Sequence, residues 1–381
     1  MKHAVKKLVI LGSTGSIGQQ TLDIVRTFPH KFEIMGLACG NNFDLFNQQL
    51  LEFNPRFAFS HLHVEFPAAV KSSTMEDMAS HPEVDLVVIA TTGSAGLHPA
   101  IAALQAGKSV ALANKEILVM AGELITEMAK KAGARILPID SEHNAIWQCL
   151  RGEDSVVSRL LLTASGGPFY GIPHKNLKHI TSEDALNHPT WKMGKKVTID
   201  SATLLNKGLE AIEAHWLFGI PYPKIEILIH RQSIVHSMIE FEDCSLKAQM
   251  SMPDMHLPIQ YALFYPQRLK NDNIPCLTFD KMRTFTFEPV SYAQFPCLRL
   301  ALEAGRKGGT CPAVLCGADE IAVDLFLNNE IGFLDIERII EKTLSLHQNN
   351  AGPRLEDIIE ADKWARETAA GAARKEIKCQ S

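Results

Sequence analysis

The chain has 381 residues, which exceeds the size of one ordinary hydrophobic core and predicts two or three domains. Hydrophobic residues make up 46% of the sequence and charged residues 21%, proportions that are typical of a globular protein. The formal net charge of −5 provides no basic footprint for nucleic acid, so we expect no nucleic-acid partner.

Membrane insertion and secretion are not expected either. No apolar run approaches the roughly 18 residues that a membrane-spanning helix needs. The N-terminus leads directly into a predicted strand, which leaves no room for a signal or transit peptide. The eight cysteines are scattered without a Cys-x-x-Cys pair, which favours reduced thiols over disulfide bonds or a zinc site. We therefore expect a cytoplasmic protein.

Short apolar runs alternate with helical segments over residues 1–140. The pattern predicts helices at 16–28, 43–52, 97–106 and 115–132 and strands at 7–12, 32–39, 85–90, 109–113 and 134–139. Such alternation is typical of a doubly wound parallel sheet. The predicted fold class is therefore α/β, with a first domain that ends near Asp140.

The first predicted strand ends in a glycine motif, Gly12-x-x-Gly15-x-x-Gly18, that opens the first helix. Glycines at such a turn let the backbone approach a pyrophosphate, and the helix N-terminus favours its negative charge. The motif predicts a dinucleotide site, with a plain tight turn as the alternative.

The second strand leads into Gly40-Asn41-Asn42 and lacks the acidic residue that usually binds the ribose of NAD. This absence favours NADP as the cofactor. The alternative is that another residue reads the ribose.

Lys115 lies between Asn114 and Glu116 at a predicted junction of strand and helix. Such junctions face the crevice where α/β proteins bind ligands, and a lysine there can stabilise a developing alkoxide. The alternative is a surface lysine in the first turn of a helix.

Asp140 and Glu142 follow the last strand of this domain, and they point to one side if the extended conformation persists. With Glu210 as a third member, these carboxylates suit a hard cation, so magnesium or manganese is favoured over zinc. Co²⁺ is a further candidate. The alternative for Asp140 and Glu142 is a solvated turn or a helix cap.

The pattern changes beyond Asp140. Residues 141–270 are predicted to form an α+β catalytic domain, with a helix at 202–218 and strands at 160–163, 196–199, 225–230 and 246–250. The proline-rich stretch 253–289 is interpreted as a connector, and 271–296 as a linker. The C-terminal domain, 297–381, is predicted to be a helical bundle with helices at 297–305, 313–328, 335–346 and 355–370.

Donors for an anion are concentrated in two segments of the central domain. Ser165-Gly166-Gly167-Pro168 is suited to a backbone loop around an oxyanion, and Ser201, Asn206 and Lys207 add donors and a cation. Together they predict a phosphate site. The alternatives are a simple turn for the glycine pair and a helix cap for Ser201.

Residues 186–196 show neither a helical nor a strand period, which predicts a loop. We expect this loop to be a mobile lid in which Trp191 covers the substrate and His188 reaches its phosphate. The alternative is that Trp191 anchors the loop in the core.

Seven motifs in this order resemble the 1-deoxy-D-xylulose 5-phosphate reductoisomerase family over essentially the whole chain. They are Gly-Ser-Thr-Gly-Ser-Ile-Gly from residue 12, Ala-Asn-Lys-Glu from 113, Ile-Asp-Ser-Glu-His-Asn-Ala from 139, Ala-Ser-Gly-Gly-Pro-Phe from 164, His-Pro-Thr-Trp-Lys-Met-Gly from 188, Asp-Ser-Ala-Thr-Leu-Leu-Asn-Lys-Gly-Leu-Glu from 200 and Met-Pro-Asp-Met from 252. The resemblance implies a homodimeric enzyme. It uses NADPH and a divalent cation to convert 1-deoxy-D-xylulose 5-phosphate to 2-C-methyl-D-erythritol 4-phosphate in the non-mevalonate route to isoprenoids.

The resemblance also implies roles for single residues. Those implied to contact NADPH are Thr14, Gly15, Ser16, Ile17, Gly40, Asn41, Asn42, Asn114, Glu116 and Gly194. Those implied to bind the metal are Asp140, Glu142 and Glu210, and those implied to contact the substrate are Lys115, Ser141, Glu142, Ser165, His188, Ser201, Asn206 and Lys207. Glu210 and Trp191 are also expected to lie at the substrate. Lys115 and the three carboxylates would be the catalytic residues.

Three positions depart from the family pattern. Asn41 stands where the family often has lysine, which removes one cation near the 2′-phosphate of NADPH. Arg231 replaces a usual proline, and His256 a usual arginine; because neither touches a proposed ligand, little functional effect is expected from them. Two other functions stay open at this point: another NADP-linked dehydrogenase of the homoserine type, and a non-catalytic NADPH sensor.

Overall fold

The computed structural model describes residues 5–62, 65–279 and 284–380, and of residues 375–380 only the backbone. The chain forms two compact units. The first contains the residues up to Ile117 together with Glu123–Trp147 and Asp254–Cys276. The second contains Leu118–Gly122, Gln148–Pro253 and the chain from Leu277 onward.

The helices and strands follow the chain in alternation over its first part. The strands are β1 Lys6–Leu11, β2 Phe32–Cys39, β3 Phe57–Ser60, β4 Lys71–Ser72, β5 Leu86–Ile89, β6 Ser109–Leu112, β7 Ile136–Pro138, β8 Val157–Ala164, β9 Ile225–Ile229, β10 Val235–Phe241, β11 Leu246–Met250 and β12 Glu288–Pro289. The helices are α1 Ser16–Thr27, α2 Phe43–Phe53, α3 Met75–Ser80, α4 Leu97–Gln105, α5 Lys115–Ala132, α6 Ser141–Leu150, α7 Ser182–Leu186, α8 Lys195–Ala202, α9 Leu205–Phe218, α10 His256–Phe264, α11 Pro296–Lys307, α12 Cys311–Leu327, α13 Phe333–Leu346 and α14 Leu355–Gln380. None of these helices is long and apolar enough to cross a membrane.

The first unit contains a seven-stranded parallel sheet in the order β4-β3-β2-β1-β5-β6-β7. Each predicted strand of the first domain is present, and the prediction of a doubly wound sheet is confirmed. The strand order reverses between β1 and β5, and ligands bind beyond the carboxyl ends of the strands at such a point. Strands β3 and β4 were not predicted, because both are short.

Helix α10 packs in the core of the first unit, although its residues were predicted to lie within the domain 141–270. Ile259 and Leu263 are fully buried with strand residues of this unit, and the Phe264 ring lies 4.9 Å from that of Phe28. The helix is apolar on all sides, with seven of its nine residues buried. Such a helix needs a core around it, and a proline-rich connector does not provide one. The predicted boundaries at 140 and 270 therefore differ from the units that the structure forms.

The second unit is built on a five-stranded sheet in the order β11-β10-β8-β9-β12. The predicted strand at 196–199 is wrong, because these residues belong to α8. Val197, Thr198 and Ile199 favour a strand by propensity, but Thr198 bonds the Gly194 carbonyl within the first turn and Ile199 is buried as a helical residue. Strand β10, which lies between β8 and β11, was not predicted.

The C-terminal helices α11–α14 belong to the same compact unit as this sheet. The four helices predicted for this region are confirmed, and α14 is longer than predicted. Gly208 of α9 lies so close to α11 that a Cβ atom would be 2.4 Å from the Ala301 side chain. Lys196 of α8 pairs with Asp319 of α12 at 2.8 Å. The helices therefore support α8 and α9 from one side.

Candidate functional site: two sets of polar residues

The glycine motif forms a tight turn between β1 and α1. Gly12 has a φ of +90°, and a Cβ atom there would lie 2.4 Å from the Ala90 carbonyl oxygen. A Cβ atom on Gly18 would lie 2.2 Å from the Gly12 carbonyl oxygen. Only glycine fits at either position. The turn leaves Gly15 and Ser16 exposed at the start of α1, where the helix N-terminus can receive a pyrophosphate.

Residues 40–42 follow β2 and are exposed, as expected for the adenosine end of a cofactor site. Asn42 also caps α2, since its side-chain oxygen accepts a hydrogen bond from the Leu45 amide at 3.2 Å. Asn41 is exposed, and no carboxylate occupies positions 40–42.

Asn114 and Lys115 begin helix α5. Asn114 is buried; its side-chain oxygen caps the Ile117 amide at 3.1 Å, and its amide group donates to the carbonyls of Thr91 and Gly93 at 2.9 and 2.8 Å. Its side chain therefore ties the loop after β5 to the start of α5. Any contact of this residue with a cofactor is expected to involve its backbone.

The Lys115 ammonium donates to the Asp140 carboxylate, and both side chains are largely buried. Ser141 donates to the Glu142 carboxylate. Helix α6 begins at Ser141, immediately after Asp140, so the extended conformation assumed for Asp140 and Glu142 does not persist. The structure thus brings Lys115 and Asp140 together, but it places Glu142 in the first turn of a helix rather than on a strand.

The segment 200–210 is divided between two helices rather than forming the start of one helix at 202. Leu204, which is 2% exposed, adopts a left-handed conformation with φ 57° and separates α8 from α9. Ser201 lies near the end of α8, and Asn206 lies in the first turn of α9. A left-handed leucine is costly, so the surrounding packing must hold it there.

Three of the proposed site residues lie together at the start of α9. Lys207 and Asn206 both donate to the carboxylate of Glu210. Lys207 is 3% exposed and Glu210 is 1% exposed, so this ion pair is almost free of solvent. Carboxylate oxygens are suitable ligands for a hard divalent cation, so Glu210 remains a candidate metal ligand.

The second group of proposed phosphate ligands is organised around His188. Its Nε2 lies 3.0 Å from Ser165 Oγ and 3.2 Å from Ser201 Oγ. Its Nδ1 accepts hydrogen bonds from the amides of Thr190 and Trp191 at 3.2 and 2.9 Å. Since Nδ1 is an acceptor, the neutral ring carries its proton on Nε2 and presents it to the two serines.

Burial lowers the pKa of His188 to about 4, and the positive charge of Arg231 contributes to this shift. His188 is therefore neutral at physiological pH in the unliganded protein. Arg231 itself donates to the carbonyl oxygens of Ser165 and Gly167. Its contact with Ser165 corrects the expectation that this position touches no proposed ligand.

The loop between α7 and α8 has no helix or strand. Trp191 is half-buried, and its ring packs edge-on against that of His236 at 6.0 Å. Gly194, at the end of the loop, is exposed and precedes α8. The loop prediction is confirmed for residues 187–194, whereas Leu186 belongs to α7 and residues 195–196 belong to α8. The mobility of the loop stays a prediction.

The proposed residues divide between the two units. Those in the first unit are Thr14, Gly15, Ser16, Ile17, Gly40, Asn41, Asn42, Asn114, Lys115, Glu116, Asp140, Ser141 and Glu142. Those in the second unit are Ser165, His188, Trp191, Gly194, Ser201, Asn206, Lys207 and Glu210.

Family models cover most of the chain. The model described as 1-deoxy-D-xylulose 5-phosphate reductoisomerase matches residues 8–122. The C-terminal domain model of the same enzyme matches residues 136–218, and the DXP reductoisomerase C-terminal domain model matches residues 250–368.

Similar proteins carry the same name. The 1-deoxy-D-xylulose 5-phosphate reductoisomerase of Pelotomaculum thermopropionicum is 50% identical over 376 residues, which cover 95% of this chain and 97% of the relative. That of Thermoanaerobacter pseudethanolicus is 49% identical, with 96% and 99% of the two chains covered.

Solved structures match over the same length. The enzyme of Zymomonas mobilis in complex with NADPH gives a TM-score of 0.88 at 39% identity, with 97% of this chain and 99% of that chain covered. A DOX-P reductoisomerase in complex with NADPH, fosmidomycin and magnesium gives a TM-score of 0.90 at 38% identity, with 97% and 98% covered. From these matches over almost its whole length, the chain belongs to the 1-deoxy-D-xylulose 5-phosphate reductoisomerase family.

Proposed function

We propose that the chain is an NADPH-dependent enzyme that rearranges and reduces 1-deoxy-D-xylulose 5-phosphate to 2-C-methyl-D-erythritol 4-phosphate. The observation that carries this proposal is the 50% identity to a named reductoisomerase over 95% of the chain. A homoserine-type dehydrogenase and a non-catalytic NADPH sensor are not favoured, since the family models match the substrate-binding part of the chain as well as the dinucleotide-binding part.

NADPH is proposed to bind beyond the carboxyl ends of β1 and β2. Thr14, Gly15, Ser16 and Ile17 would hold its pyrophosphate at the start of α1, and Gly40, Asn41 and Asn42 would lie at its ribose and 2′-phosphate. Asn114, Glu116 and Gly194 would complete the site. The turn at Gly12 and Gly18, which excludes any side chain, supports close approach of the backbone to the pyrophosphate.

A divalent cation is proposed to bind Asp140, Glu142 and Glu210. Three carboxylates form a donor set that suits Mg²⁺ or Mn²⁺, and solved relatives contain magnesium. When bound, the cation would supply Lewis acidity and a template for the substrate's oxygens. Lys207 donates to Glu210 and Lys115 donates to Asp140, so each of these two carboxylates has a lysine partner.

The substrate's phosphate is proposed to bind Ser165, His188, Ser201, Asn206 and Lys207. The Nε2 proton of His188 and the two serine hydroxyls form a set of donors within hydrogen-bond distance of one another. An incoming phosphate would accept these hydrogen bonds, and Lys207 would supply the cation that such a site needs. Lys115, Ser141 and Glu142 would contact the other oxygens of the substrate.

The loop 186–196 is proposed to close over the substrate, with Trp191 covering its carbon chain. The amide of Trp191 bonds His188 Nδ1, so a movement of the tryptophan is coupled to the histidine that would hold the phosphate. Closure would exclude water from the bound substrate, and bound NADPH would supply the hydride for the reduction.

The working form is proposed to be a homodimer in the cytoplasm. The cysteines support a reducing compartment, since the seven whose state the structure describes are free thiols. Sedimentation in the presence of NADPH would test the dimer.

The function is tested by turnover of 1-deoxy-D-xylulose 5-phosphate with NADPH and Mg²⁺, followed by NADPH absorbance and by phosphorus NMR of the product. Ser201→Ala is expected to raise the substrate KM, and Glu303→Gln, which changes an exposed carboxylate of α11, serves as the matched control. Absence of turnover by a folded protein that binds NADPH would refute the function.

A further inference from the structure

Arg231 holds the turn that contains the proposed phosphate ligand Ser165. Its Nη1 atom donates to the carbonyl oxygen of Ser165 at 2.8 Å and to that of Gly167 at 2.7 Å. A single nitrogen thus joins both ends of a three-residue turn, which fixes the distance between these two peptide groups.

The turn itself needs such support. Gly166 and Gly167 have φ values of +80° and +65°, and glycine loses more conformational freedom on ordering than any other residue. A Cβ atom on Gly167 would lie 2.5 Å from the Ser201 carbonyl oxygen, so the turn packs directly against the end of α8. Any displacement of the turn would therefore change the position of Ser165 relative to Ser201.

The hydrogen bond to the Ser165 carbonyl also orients a backbone amide of the turn. In a trans peptide the N–H group points away from its carbonyl oxygen. Since the Ser165 carbonyl points to Arg231, the amide proton of Gly166 points away from it. The guanidinium also covers two carbonyl oxygens, the groups of this turn that would otherwise repel a phosphate.

The arginine is fixed in its place by two further residues. Its guanidinium carbon lies 5.6 Å from the centre of the Tyr170 ring, in a cation–π arrangement. The hydroxyl of Tyr170 donates to Glu288 at 2.8 Å, and this bond raises the pKa of Tyr170. The stack holds Arg231 against the turn.

The charge of Arg231 acts on the site without a direct contact. Its positive charge is the second cause, after burial, of the lowered pKa of His188. His188 lies 3.0 Å from Ser165 Oγ, so the same potential acts where the phosphate would bind.

We propose that Arg231 is a positioning residue for the phosphate of the substrate. It holds the Ser165–Gly167 turn in its phosphate-binding form and adds positive potential behind it. This inference rests on the phosphate site proposed above.

The test compares Arg231→Met with Arg231→Lys and with a matched control, Arg354→Met, which removes an 80% exposed arginine of the same unit. Lysine keeps the charge, but its nitrogen lies one bond nearer the backbone than Nη1, so we expect it to form weaker hydrogen bonds to the two carbonyl oxygens. Three quantities are measured: the substrate KM, the inhibition constant of inorganic phosphate as competitor, and the Kd of NADPH.

Loss of both hydrogen bonds and the charge in Arg231→Met is expected to raise KM and the phosphate inhibition constant together by about tenfold. Arg231→Lys is expected to raise both by about threefold. The kcat at saturation is expected to change less than KM, and the Kd of NADPH and the control variant are expected to match the wild type. A general structural defect would instead weaken NADPH binding and phosphate binding alike.

Two outcomes separate this inference from the function on which it rests. If Ser165→Ala raises KM while Arg231→Met leaves it unchanged, the role of Arg231 is refuted and the phosphate site stands. If the wild type does not convert the substrate, the proposed function is refuted, whatever the variants of Arg231 show. Should Arg231→Met not fold, the Arg231→Lys variant tests the proposal alone. An unchanged phosphate inhibition constant in that variant would contradict a role for the hydrogen bonds from Arg231 to the carbonyls of Ser165 and Gly167.

Discussion

Gly18→Ala tests whether the turn before α1 binds the cofactor. The added Cβ atom would lie 2.2 Å from the Gly12 carbonyl oxygen and 2.6 Å from Ser13 Cα. An ordinary contact begins at 3.4 Å, so the turn and the helix must separate by about 1.2 Å. Both obstructing atoms belong to the backbone, and no side-chain rotation can relieve them. The substitution therefore opens the turn in which the pyrophosphate is proposed to bind.

The magnitude follows from the cost of overpacking, which is about 1–3 kcal/mol for a methyl group in a packed site. The free loop can relax, whereas the bound form needs the tight turn, so most of this cost is expected in binding. At 1.4 kcal/mol per tenfold change, the Kd of NADPH rises between about fivefold and 150-fold. Fluorescence titration with NADPH measures the change in Kd. Thermal unfolding of the free protein measures the part of the overpacking cost that lowers its stability instead.

Gly371→Ala provides the matched control, since it introduces the same methyl group into helix α14 and meets nothing within 4 Å. It is expected to leave NADPH binding unchanged and to raise stability by up to about 1 kcal/mol through helix propensity. If Gly18→Ala binds NADPH as tightly as the control, the turn tolerates a methyl group that the structure excludes. The proposal that this turn binds the pyrophosphate would then be contradicted.

Three further predictions concern the metal, the cofactor and the lid. Chelation is expected to abolish turnover, and Mg²⁺ or Mn²⁺ to restore it. Glu210→Gln is expected to lose most of kcat while circular dichroism shows that the protein is folded. Full activity without metal would contradict the carboxylate site. The kcat/KM ratio for NADPH over NADH exceeds about 10, or about 1.4 kcal/mol, and Asn41→Asp shifts it toward NADH; equal efficiency would show that residues 40–42 do not read the 2′-phosphate. Hydrogen exchange of 186–196 slows only with a phosphonate analogue and metal; equal protection in the free enzyme would make Trp191 a structural anchor.

The features that were predicted correctly from the sequence are mostly those that depend on neighbouring residues in the chain. The turn at Gly12 and Gly18 was predictable because backbone crowding leaves only glycine at those positions, and glycine is visible in the sequence. The strands of the parallel sheet were predictable because burial on both faces requires continuous apolar runs. Helix α10 was missed for the opposite reason, since its place in the core of the first unit depends on contacts with Phe28 and Phe32, which are remote in sequence.

The contacts of Arg231 could not be predicted from the sequence, for a different reason. Nothing in its neighbours His230 and Gln232 indicates that its side chain reaches a turn more than sixty residues earlier in the chain. In the parallel pairing of β8 with β9, the last residues of the two strands, Ala164 and Ile229, lie beside each other. This register brings the turn that follows β8 close to Arg231, which follows β9. The contact is therefore a consequence of strand pairing, which the composition of the segment does not reveal.

The break at Leu204 connects fold and site most directly. On one continuous helix, Ser201 and Lys207 would be six residues apart, and their side chains would point about 120° away from each other around the helix axis. Leucine gives no local signal for the left-handed conformation that separates them, and the packing around its buried side chain must hold it there. The break ends α8 just beyond Ser201 and begins α9 just before Lys207, so each side chain takes its direction from a separate helix. A feature that costs backbone energy, and that lies between two proposed phosphate ligands, is most simply explained by the direction that it gives to those ligands.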